Sequence, residues 1–341
     1  MPPIAVAIIV PMRNEENLVE GLVASVAAQD YEGETQLIIA DGASTDSSVS
    51  RARSAALAHG INLLLVDNPR QRTASGLNSC IERAEAELLV RMDCHARFAP
   101  DYVSWCVRTS VETGAENVGG PTLVAGETRV ERAVACAMTS PFGGIGWYRE
   151  GAAIRHEHDT VYCGAFIPSV FGSIGGFDES LGSNEDDELN LRLRKAGGRV
   201  VLDRRIRLWY TPRARLRDVF TQYYRYGLWK PPVMLGHRSM LGARSLVPAI
   251  FVLTLAALAV SSFFSPPAGV LLASVVALYT GSGTAFAVRA IRARQESLRL
   301  LPATVGAFAA FHLGYGLGLL AGVGFVAVGK GRLRPAPTRA G

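Results

Sequence analysis

Three long apolar runs in the last third of the chain restrict its possible folds more than any other feature. The runs cover Ser245–Phe264, Ala268–Val288 and Val305–Val328, and Pro266 and Pro267 separate the first two. Each run has about the 20 residues that a helix needs to cross the hydrocarbon core of a bilayer. Because none of them has a polar face, we expect three membrane-spanning helices rather than buried helices of a soluble protein.

The charge of the 341-residue chain is distributed unevenly. Residues 1–198 carry 16 basic and 27 acidic side chains, residues 199–230 carry 9 and 2, and residues 231–341 carry 10 and 1. The net charges of the three parts are therefore −11, +7 and +9 within an overall charge of +5. A basic second half that contains apolar spans favours a membrane surface, and not nucleic acid, as its partner.

The first 120 residues alternate short apolar runs with helical stretches. Strands are predicted at Ile4–Val10, Gln36–Ala40, Ile61–Val66 and Glu87–Met92, and helices at Glu16–Ala28, Ser47–His59, Ala74–Ala84 and Pro100–Thr113. Continuous apolar strands between helices indicate strands that are buried on both faces of a parallel sheet. The pattern predicts an α/β fold with a mostly parallel, Rossmann-like sheet.

Two observations favour a cytoplasmic location for this first part. The five cysteines include no C-x-x-C pair, which is typical of reduced thiols in the cytosol. The apolar segment Ile4–Val10 is short, lacks a basic start and runs into Pro11, so we expect a buried strand and not a signal peptide.

Polar residues after the first two strands indicate a nucleotide site. No G-x-G-x-x-G turn or P-loop follows the first strand. Instead, Asp41 ends the second strand directly before Gly42, at the edge where open α/β sheets bind ligands. We expect its carboxylate to accept a hydrogen bond from a base N–H. Asp46 is expected to be a helix N-cap.

Five short motifs follow one another along residues 4–230. They are Val10-Pro11-x-x-Asn14-Glu15, Asp41-Gly42-x-Ser44-x-Asp46, Asp93-x-His95, Gly175-Gly176-Phe177-Asp178-Glu179 and Glu185-Asp186-x-Glu188-Leu189. In this order they resemble family 2 glycosyltransferases, the inverting enzymes of GT-A fold. In the Asp-x-His variant, the Asn-Glu-Asp-Asp-Glu-Leu-Asn run at 184–190 and the Tyr-Arg-Tyr-Gly-x-Trp-Lys segment at 224–230, the chain resembles the membrane-attached glucosyltransferases of bacterial exopolysaccharide assembly, such as those of succinoglycan biosynthesis.

The resemblance implies a site for a UDP-sugar donor. The residues that it assigns to the nucleotide are Pro11, Arg13, Glu15, Asp41, Arg72 and Asp93. For Arg72, a solvated loop charge is an equal alternative. The glycines around Gly164 and Gly175 resemble the wall beside the donor sugar, where backbone amides can approach a ligand closely.

The resemblance also implies a divalent metal ion, Mn²⁺ or Mg²⁺, that holds the diphosphate. Family members usually have Asp-x-Asp where this chain has Asp93-Cys94-His95. Asp93 and His95 are therefore the expected metal ligands, and imidazole suits Mn²⁺ better than Mg²⁺. A hydrogen bond from His95 to the diphosphate and a structural role are the alternatives.

A cluster of acids at Glu185–Glu188 precedes a predicted helix at Leu189–Ala196. A charged helix N-terminus would be one explanation of this cluster. By resemblance, Asp186 matches the catalytic base, which must reach the acceptor hydroxyl. Glu185 is expected at the acceptor side of the same site.

A segment rich in aromatic and basic residues, Leu216–Lys230, precedes the first apolar run. Its composition predicts an amphipathic helix at the membrane surface. Gln222 and Arg225 also resemble the Gln-x-x-Arg-Trp box of polysaccharide synthases, with Tyr226 where Trp is expected and Trp229 nearby. The resemblance implies an acceptor-side role for Gln222, Arg225 and Trp229, and the alternative is a membrane-contact helix.

These observations predict a glycosyltransferase domain at residues 1–210, an interfacial segment at 211–244, a membrane region at 245–330 and a basic tail at 331–341. We expect a multi-pass membrane enzyme with a cytoplasmic catalytic domain, which moves sugar from a UDP-sugar to a lipid-linked saccharide. The basic loop Arg289–Arg299 fits the cytoplasmic side, but a third span would place the basic tail outside, against the positive-inside tendency. The glycine-rich third run could also pair two copies of the chain.

Two alternative functions stay open at this point. One is transfer of sugar to a polyprenyl monophosphate, whose oxygen is already anionic and needs a base less. The other is a non-catalytic subunit that binds a sugar nucleotide, for which His95 in place of the second acid is the support.

Overall fold

The computed structural model describes residues 3–144, 153–237, 239 and 242–328. The described chain forms two compact units. The first consists of residues 3–123 and 153–210, and the second consists of residues 124–144 and the described part of 211–328. The basic tail predicted at 331–341 lies outside the described residues.

An eight-stranded sheet forms the centre of the first unit. The strands of the chain are β1 Val6–Met12, β2 Thr35–Asp41, β3 Leu63–Asp67, β4 Leu88–Arg91, β5 Ala96–Phe98, β6 Asn117–Gly120, β7 Thr122–Val124, β8 Arg155–Glu157, β9 Tyr162–Phe166, β10 Val200–Asp203 and β11 Leu208–Tyr210. The large sheet has the order β3-β2-β1-β4-β9-β6-β10-β8, and β5-β11-β7 form a smaller one. Strands β1 to β4 are parallel, whereas β9 runs antiparallel to β4 and β6. The predicted mostly parallel sheet is confirmed.

Helices cover both faces of this sheet. The α-helices of the chain are α1 Val19–Ala27, α2 Ser48–His59, α3 Thr73–Arg83, α4 Tyr102–Thr113, α5 Arg129–Met138, α6 Ser169–Ile174, α7 Glu185–Lys195, α8 Leu216–Gly236, α9 Ala243–Ser261, α10 Pro266–Ala293 and α11 Leu301–Ala327. In β1, Ile8 packs with residues of α1, α2 and α4, whereas Ile9 packs with residues of α3 and α7. Because both faces are buried, β1 is apolar at consecutive positions, as the sequence pattern indicated.

Helix α7 begins earlier than the sequence suggested. The expected start near Leu189 is wrong, since the helix begins at Glu185 and its first turn consists of four acids. The amide of Glu188 donates to the carbonyl of Asn184, and the buried Glu188 carboxylate pairs with Arg192 at 2.7 Å one turn later. Acids in a first turn are favoured by the helix dipole, so the cluster belongs to the helix itself.

The second unit contains the three predicted apolar helices. Helices α9 and α10, and α11 with the short 3₁₀ turn before it, are long and apolar enough to cross a membrane. In the most apolar stretch of each of these three helices, 6%, 11% and 39% of the stretch, respectively, is buried within the protein. The low values for α9 and α10 leave wide apolar surfaces for lipid, whereas α11 is more enclosed by protein.

Glycines allow α11 to lie directly against α8 and α9. A Cβ atom on Gly314 would lie 2.7 Å from the carbonyl oxygen of Phe220, and one on Gly318 would overlap the carbonyl oxygen of Tyr224. On another face of the helix, Gly316 lies equally close to Pro248 of α9. These glycines therefore serve helix packing within one chain.

Helix α5 is tied to the turn between α10 and α11. Arg132 pairs with Glu296, Arg129 donates to the carbonyl of Arg299 at 2.7 Å, and Arg294 donates to the carbonyl of Val124 at 2.8 Å. All of these residues belong to the second unit. Nothing in the sequence pattern predicted this connection, because the partners are more than 160 residues apart.

Candidate active site

The site lies where the order of the strands reverses. From β1 the chain moves outward to β2 and β3, and then returns to the other side of β1 with β4. Ligands of open α/β sheets bind at the carboxyl ends of the strands beside such a switch point. Here those ends carry Glu15 after β1, Asp41 at the end of β2, and Asp93 and His95 after β4.

The loops after β1 and β2 hold each other through polar side chains. Asn14 has a left-handed backbone, with φ of 54°, and its side-chain oxygen accepts from the amide of Thr45 at 2.9 Å. Ser44 Oγ accepts from the Asn14 amide and donates to Asp41 Oδ1 at 2.6 Å. The predicted base contact, Asp41, thus also shapes its own turn, and its oxygens keep lone pairs for a further donor.

The expectation that Asp46 is the N-cap of α2 is wrong by one residue, since Ser47 is the N-cap and the helix begins at Ser48 instead of Ser47. Asp46 Oδ1 accepts from the amide and hydroxyl of Ser48, the first residue of α2, and its Oδ2 accepts from the amide of Glu16. These hydrogen bonds lower the pKa of the Asp46 carboxyl. Asp46 therefore joins the two loops and starts the helix.

His95 and Glu15 connect the loops after β4 and β1. His95 Nε2 lies 3.2 Å from Glu15 Oε1, and the His95 amide donates to Asp93 Oδ1 at 2.9 Å. The predicted nucleotide residue Glu15 and the two predicted metal ligands therefore lie together. Two further residues of this segment were assigned to the nucleotide: Pro11 is half-buried within β1, and Arg13 is exposed.

Arg91, at the end of β4, brings the catalytic candidates to this strand. Its side chain is only 3% exposed, and Nη1 lies 2.5 Å from Asp186 Oδ1. Nη2 lies 3.3 Å from Glu185 Oε1 and 3.9 Å from Asp93 Oδ2. One guanidinium therefore contacts the predicted base, its acidic neighbour and the predicted metal ligand.

Asp186 has a strongly perturbed carboxyl. Burial raises its pKa from 3.8 to about 7, Arg91 opposes this rise, and the charges of Glu185 and Asp187 add to it. A carboxyl with a pKa near neutral pH is suited to accept a proton from a substrate hydroxyl.

Arg72 lies in a different set of contacts. Its Nη1 donates to the carbonyl oxygens of Glu179 at 2.7 Å and Ser180 at 3.1 Å. Asn78 of α3 exchanges two hydrogen bonds with the backbone of Phe177, and Gly176 is small enough to approach the Asn78 amide. These contacts hold the glycine-rich loop before α7.

Three of the four predicted acceptor-side residues, Gln222, Arg225 and Trp229, lie on α8 in the second unit, whereas Glu185 begins α7 in the first. Gln222 Nε2 donates to the hydroxyl of Tyr226 at 2.9 Å, one helical turn away. Arg225 is exposed, and Trp229 packs edge-on against Phe325 of α11 with ring centroids 5.7 Å apart. Part of the predicted interfacial helix is thus covered by α11.

The predicted metal ligands Asp93 and His95 offer donor types that suit a divalent ion, and in the described structure His95 Nε2 lies 3.2 Å from Glu15 Oε1. Among the residues that the structure describes, no three His, Cys, Asp or Glu side chains converge on one point. Asp93 Oδ1 accepts from the His95 amide, which leaves Oδ2 facing Arg91 at 3.9 Å. A carboxylate oxygen and an imidazole nitrogen suit Mn²⁺, and a bound diphosphate would have to complete such a site.

Sequence reasoning missed Arg91. The sequence pattern indicates the apolar strand and the Asp-x-His motif, and Arg91 lies between them. Its partners Glu185 and Asp186 are 94 and 95 residues further along the chain. The available signal was an arginine in a strand in which every residue is buried, since arginine is almost never fully buried without a partner.

A mostly parallel sheet with carboxylates at the strand ends beside its switch point is typical of glycosyltransferases of GT-A fold. The Glycosyl transferase family 2 profile matches residues 7–171 of this chain. The succinoglycan biosynthesis protein ExoA of Rhizobium meliloti (strain 1021) is 31% identical over 243 residues, which cover 71% of this chain and 73% of ExoA. The chain therefore belongs to glycosyltransferase family 2 and is an enzyme of that class. Membership of this family argues against the non-catalytic alternative.

Two further proteins are similar to this chain. A dolichyl N-acetyl-alpha-D-glucosaminyl phosphate 3-beta-D-2,3-diacetamido-2,3-dideoxy-beta-D-glucuronosyltransferase of Methanococcus voltae is 23% identical over 66% of this chain and 72% of its own length. The mannosyltransferase PcManGT of Pyrobaculum calidifontis, solved in complex with GDP-Man and Mn²⁺, has a TM-score of 0.64 at 19% identity. That alignment covers 93% of this chain and 87% of PcManGT, and it supports the GT-A fold.

Proposed function

We propose that this chain is an inverting glycosyltransferase that moves a sugar from a UDP-sugar to a hydroxyl of a lipid-linked saccharide, in the synthesis of an exopolysaccharide or another envelope glycan. The observation that carries the proposal is the contact of Asp186 with Arg91 at 2.5 Å, next to the strand end that bears Asp93. It brings a proton acceptor with a near-neutral pKa beside the residues assigned to the donor.

Asp186 is the general base in the proposed reaction. Its carboxylate takes the proton of the acceptor hydroxyl as that oxygen forms a bond to C1 of the donor sugar. The bond between C1 and the diphosphate oxygen breaks on the opposite face, and UDP leaves with the electron pair. Attack from the opposite face inverts the configuration at C1, and no covalent sugar–enzyme intermediate is needed.

The residues at the ends of β1, β2 and β4 bind the donor. Asp41 accepts a hydrogen bond from the base, and the basic side chains Arg13 and Arg72 favour the negatively charged diphosphate. Asp93 and His95 would hold a divalent ion, and such an ion stabilises the charge that develops on a departing diphosphate. PcManGT, which shares the fold, was solved with GDP-Man and Mn²⁺.

A lipid-linked acceptor is supported by the apolar surfaces of α9 and α10. An enzyme anchored by these helices works where lipid-linked saccharides are found. The names of two relatives point the same way, since one acts in succinoglycan biosynthesis and the other has a dolichyl phosphate sugar in its name.

We also propose that the catalytic unit lies on the cytoplasmic side. The α10–α11 turn carries Arg292, Arg294 and Arg299, and positively charged turns favour the cytoplasm. Two spans, α9 and α10, separate this turn from the catalytic unit along the chain, and an even number of spans returns the chain to the same side of a membrane.

Transfer to a polyprenyl monophosphate is the second candidate. Such an acceptor is already anionic and would gain little from a base. The raised pKa of Asp186 favours a hydroxyl acceptor instead, because a base near neutral pH is useful only where a proton must be removed.

The donor is tested with a panel of UDP- and GDP-sugars on the purified full chain in detergent with Mn²⁺. We expect a UDP-sugar to bind more tightly than any GDP-sugar, and Asp41→Asn to weaken that binding. Asp159→Asn is a control, since Asp159 is an exposed acid that pairs with Arg194 away from the switch point. Preferential binding of a GDP-sugar would contradict the proposed donor.

A further inference from the structure

We infer that Arg91 is a positioning residue, which holds the carboxylates of Asp186 and Glu185 at a fixed place beside the end of β4. The inference rests on the proposed role of Asp186 as the base. Arg91 itself is not assigned to any step of the reaction.

The first argument is the geometry of the contacts. The two terminal nitrogens of Arg91 are divided between two acids, Nη1 at 2.5 Å from Asp186 and Nη2 at 3.3 Å from Glu185. A planar guanidinium fixes both the distance and the direction of its partners, which a lysine ammonium cannot do. The acids are therefore held as a pair, in one orientation.

The second argument is what Arg91 is attached to. It ends β4, which is paired with β1 on one side and with β9 on the other. Asp93 follows two residues later, and its Oδ2 lies 3.9 Å from the same guanidinium. Helix α7, in contrast, follows a glycine-containing loop. Arg91 thus connects the base to the rigid centre of the sheet and to the donor side of the site.

The third argument is the energetic cost of such a residue. Arg91 is 3% exposed, and its Nε has no hydrogen-bond partner among the residues that the structure describes. A buried ion pair is often no more stable than a well-packed apolar replacement of similar volume. An arginine that is buried without full hydrogen bonding is therefore better explained by the placement of the acids than by stability of the fold.

The test compares Arg91→Met and Arg91→Lys with the unchanged enzyme. Arg91→Met keeps length and apolar packing, and we expect kcat to fall about 100-fold, the scale of a misplaced reacting group. Donor binding should change little, whereas the midpoint of thermal unfolding should fall, because Asp186 and Glu185 lose their buried cationic partner. Arg91→Lys should have a higher kcat than Arg91→Met but a lower one than the unchanged enzyme, because lysine restores the charge without the planar guanidinium.

Arg155→Met is the matched control. Arg155 is half-buried and pairs with Asp203 and Glu112, but it lies on β8 at the outer edge of the sheet. We expect this variant to lose stability and to keep kcat. If Arg91→Met behaves like Arg155→Met, with kcat retained, Arg91 is a structural residue and the inference is wrong.

A double variant separates positioning from general damage. If Arg91 acts through Asp186, adding Arg91→Met to Asp186→Asn should cause almost no further loss of kcat. Independent effects would instead multiply, and that result would overturn the inference. The proposed function fails separately, since in that case Asp186→Asn alone would retain full transfer activity.

Discussion

The titration of Asp186 gives a specific prediction for the pH dependence of transfer. The base must be ionised to accept a proton, and its pKa is raised to about 7 from an ordinary value of 3.8, mainly by burial. Transfer should therefore decline as the pH falls through about 7. With an ordinary carboxyl, the decline would begin only near pH 4.

The expected change of the transfer rate with pH follows from the ionised fraction of the Asp186 carboxyl. A carboxyl with a pKa of about 7 is ionised to about one tenth at pH 6 and to about nine tenths at pH 8. The rate at saturating donor and acceptor should thus rise about tenfold between these two values. For a carboxyl with an unshifted pKa, the same interval would change the rate by less than about 1%.

The assay is kcat against pH, with Glu185→Gln as the diagnostic variant. Since the charge of Glu185 raises the pKa of Asp186, its removal should move the midpoint of the profile to lower pH. Glu82→Gln, which removes an exposed acid near the end of α3, should leave the midpoint unchanged. A profile that is flat between pH 6 and 8, or a midpoint that Glu185→Gln does not move, would refute the assignment of the titrating group.

Two further predictions concern the metal ligands and the helix packing. Mn²⁺ should support activity at least as well as Mg²⁺, and His95→Asp should shift the preference toward Mg²⁺; if His95→Ala changes neither metal dependence nor donor affinity, His95 is no ligand. Gly318→Ala should lower the unfolding midpoint in detergent, because its methyl group overlaps the Tyr224 carbonyl and overpacking costs about 1–3 kcal/mol. Gly324→Ala on the same helix, where a Cβ meets no atom within 4 Å, should not; equal midpoints for the two variants would argue against this packing.

Local patterns in the sequence predicted much of the fold. The residues of β1 alternate between two buried faces, so an unbroken apolar run was enough to place this strand inside a parallel sheet. The length and apolar character of α9 to α11 similarly predicted helices that can span a membrane. In both cases the information lies within one segment of the chain.

The features that were missed depend on contacts between distant segments. The role of Arg91 can be recognised only from its contacts with Glu185 and Asp186. The role of the glycines of α11 can likewise be recognised only from their contacts with α8. The predicted start of α7 near Leu189 is too late by one turn, because the helix begins at Glu185 and the charged N-terminus, one of the two explanations of the acids, is part of it. Periodicity contains no information on such partners.

The most direct test of the central claim is the rate of transfer by Asp186→Asn. The substitution keeps the shape of the side chain and removes the proton acceptor, so transfer to a hydroxyl acceptor should fall by about two to four orders of magnitude. Binding of the UDP-sugar should barely change, since Asp41 and Asp93 are assigned to the donor side. Asp187→Asn, which neutralises the adjacent acid, is the matched control and should retain most of the rate. Unchanged transfer by Asp186→Asn would contradict the account, and a mild loss would favour a polyprenyl monophosphate as the acceptor.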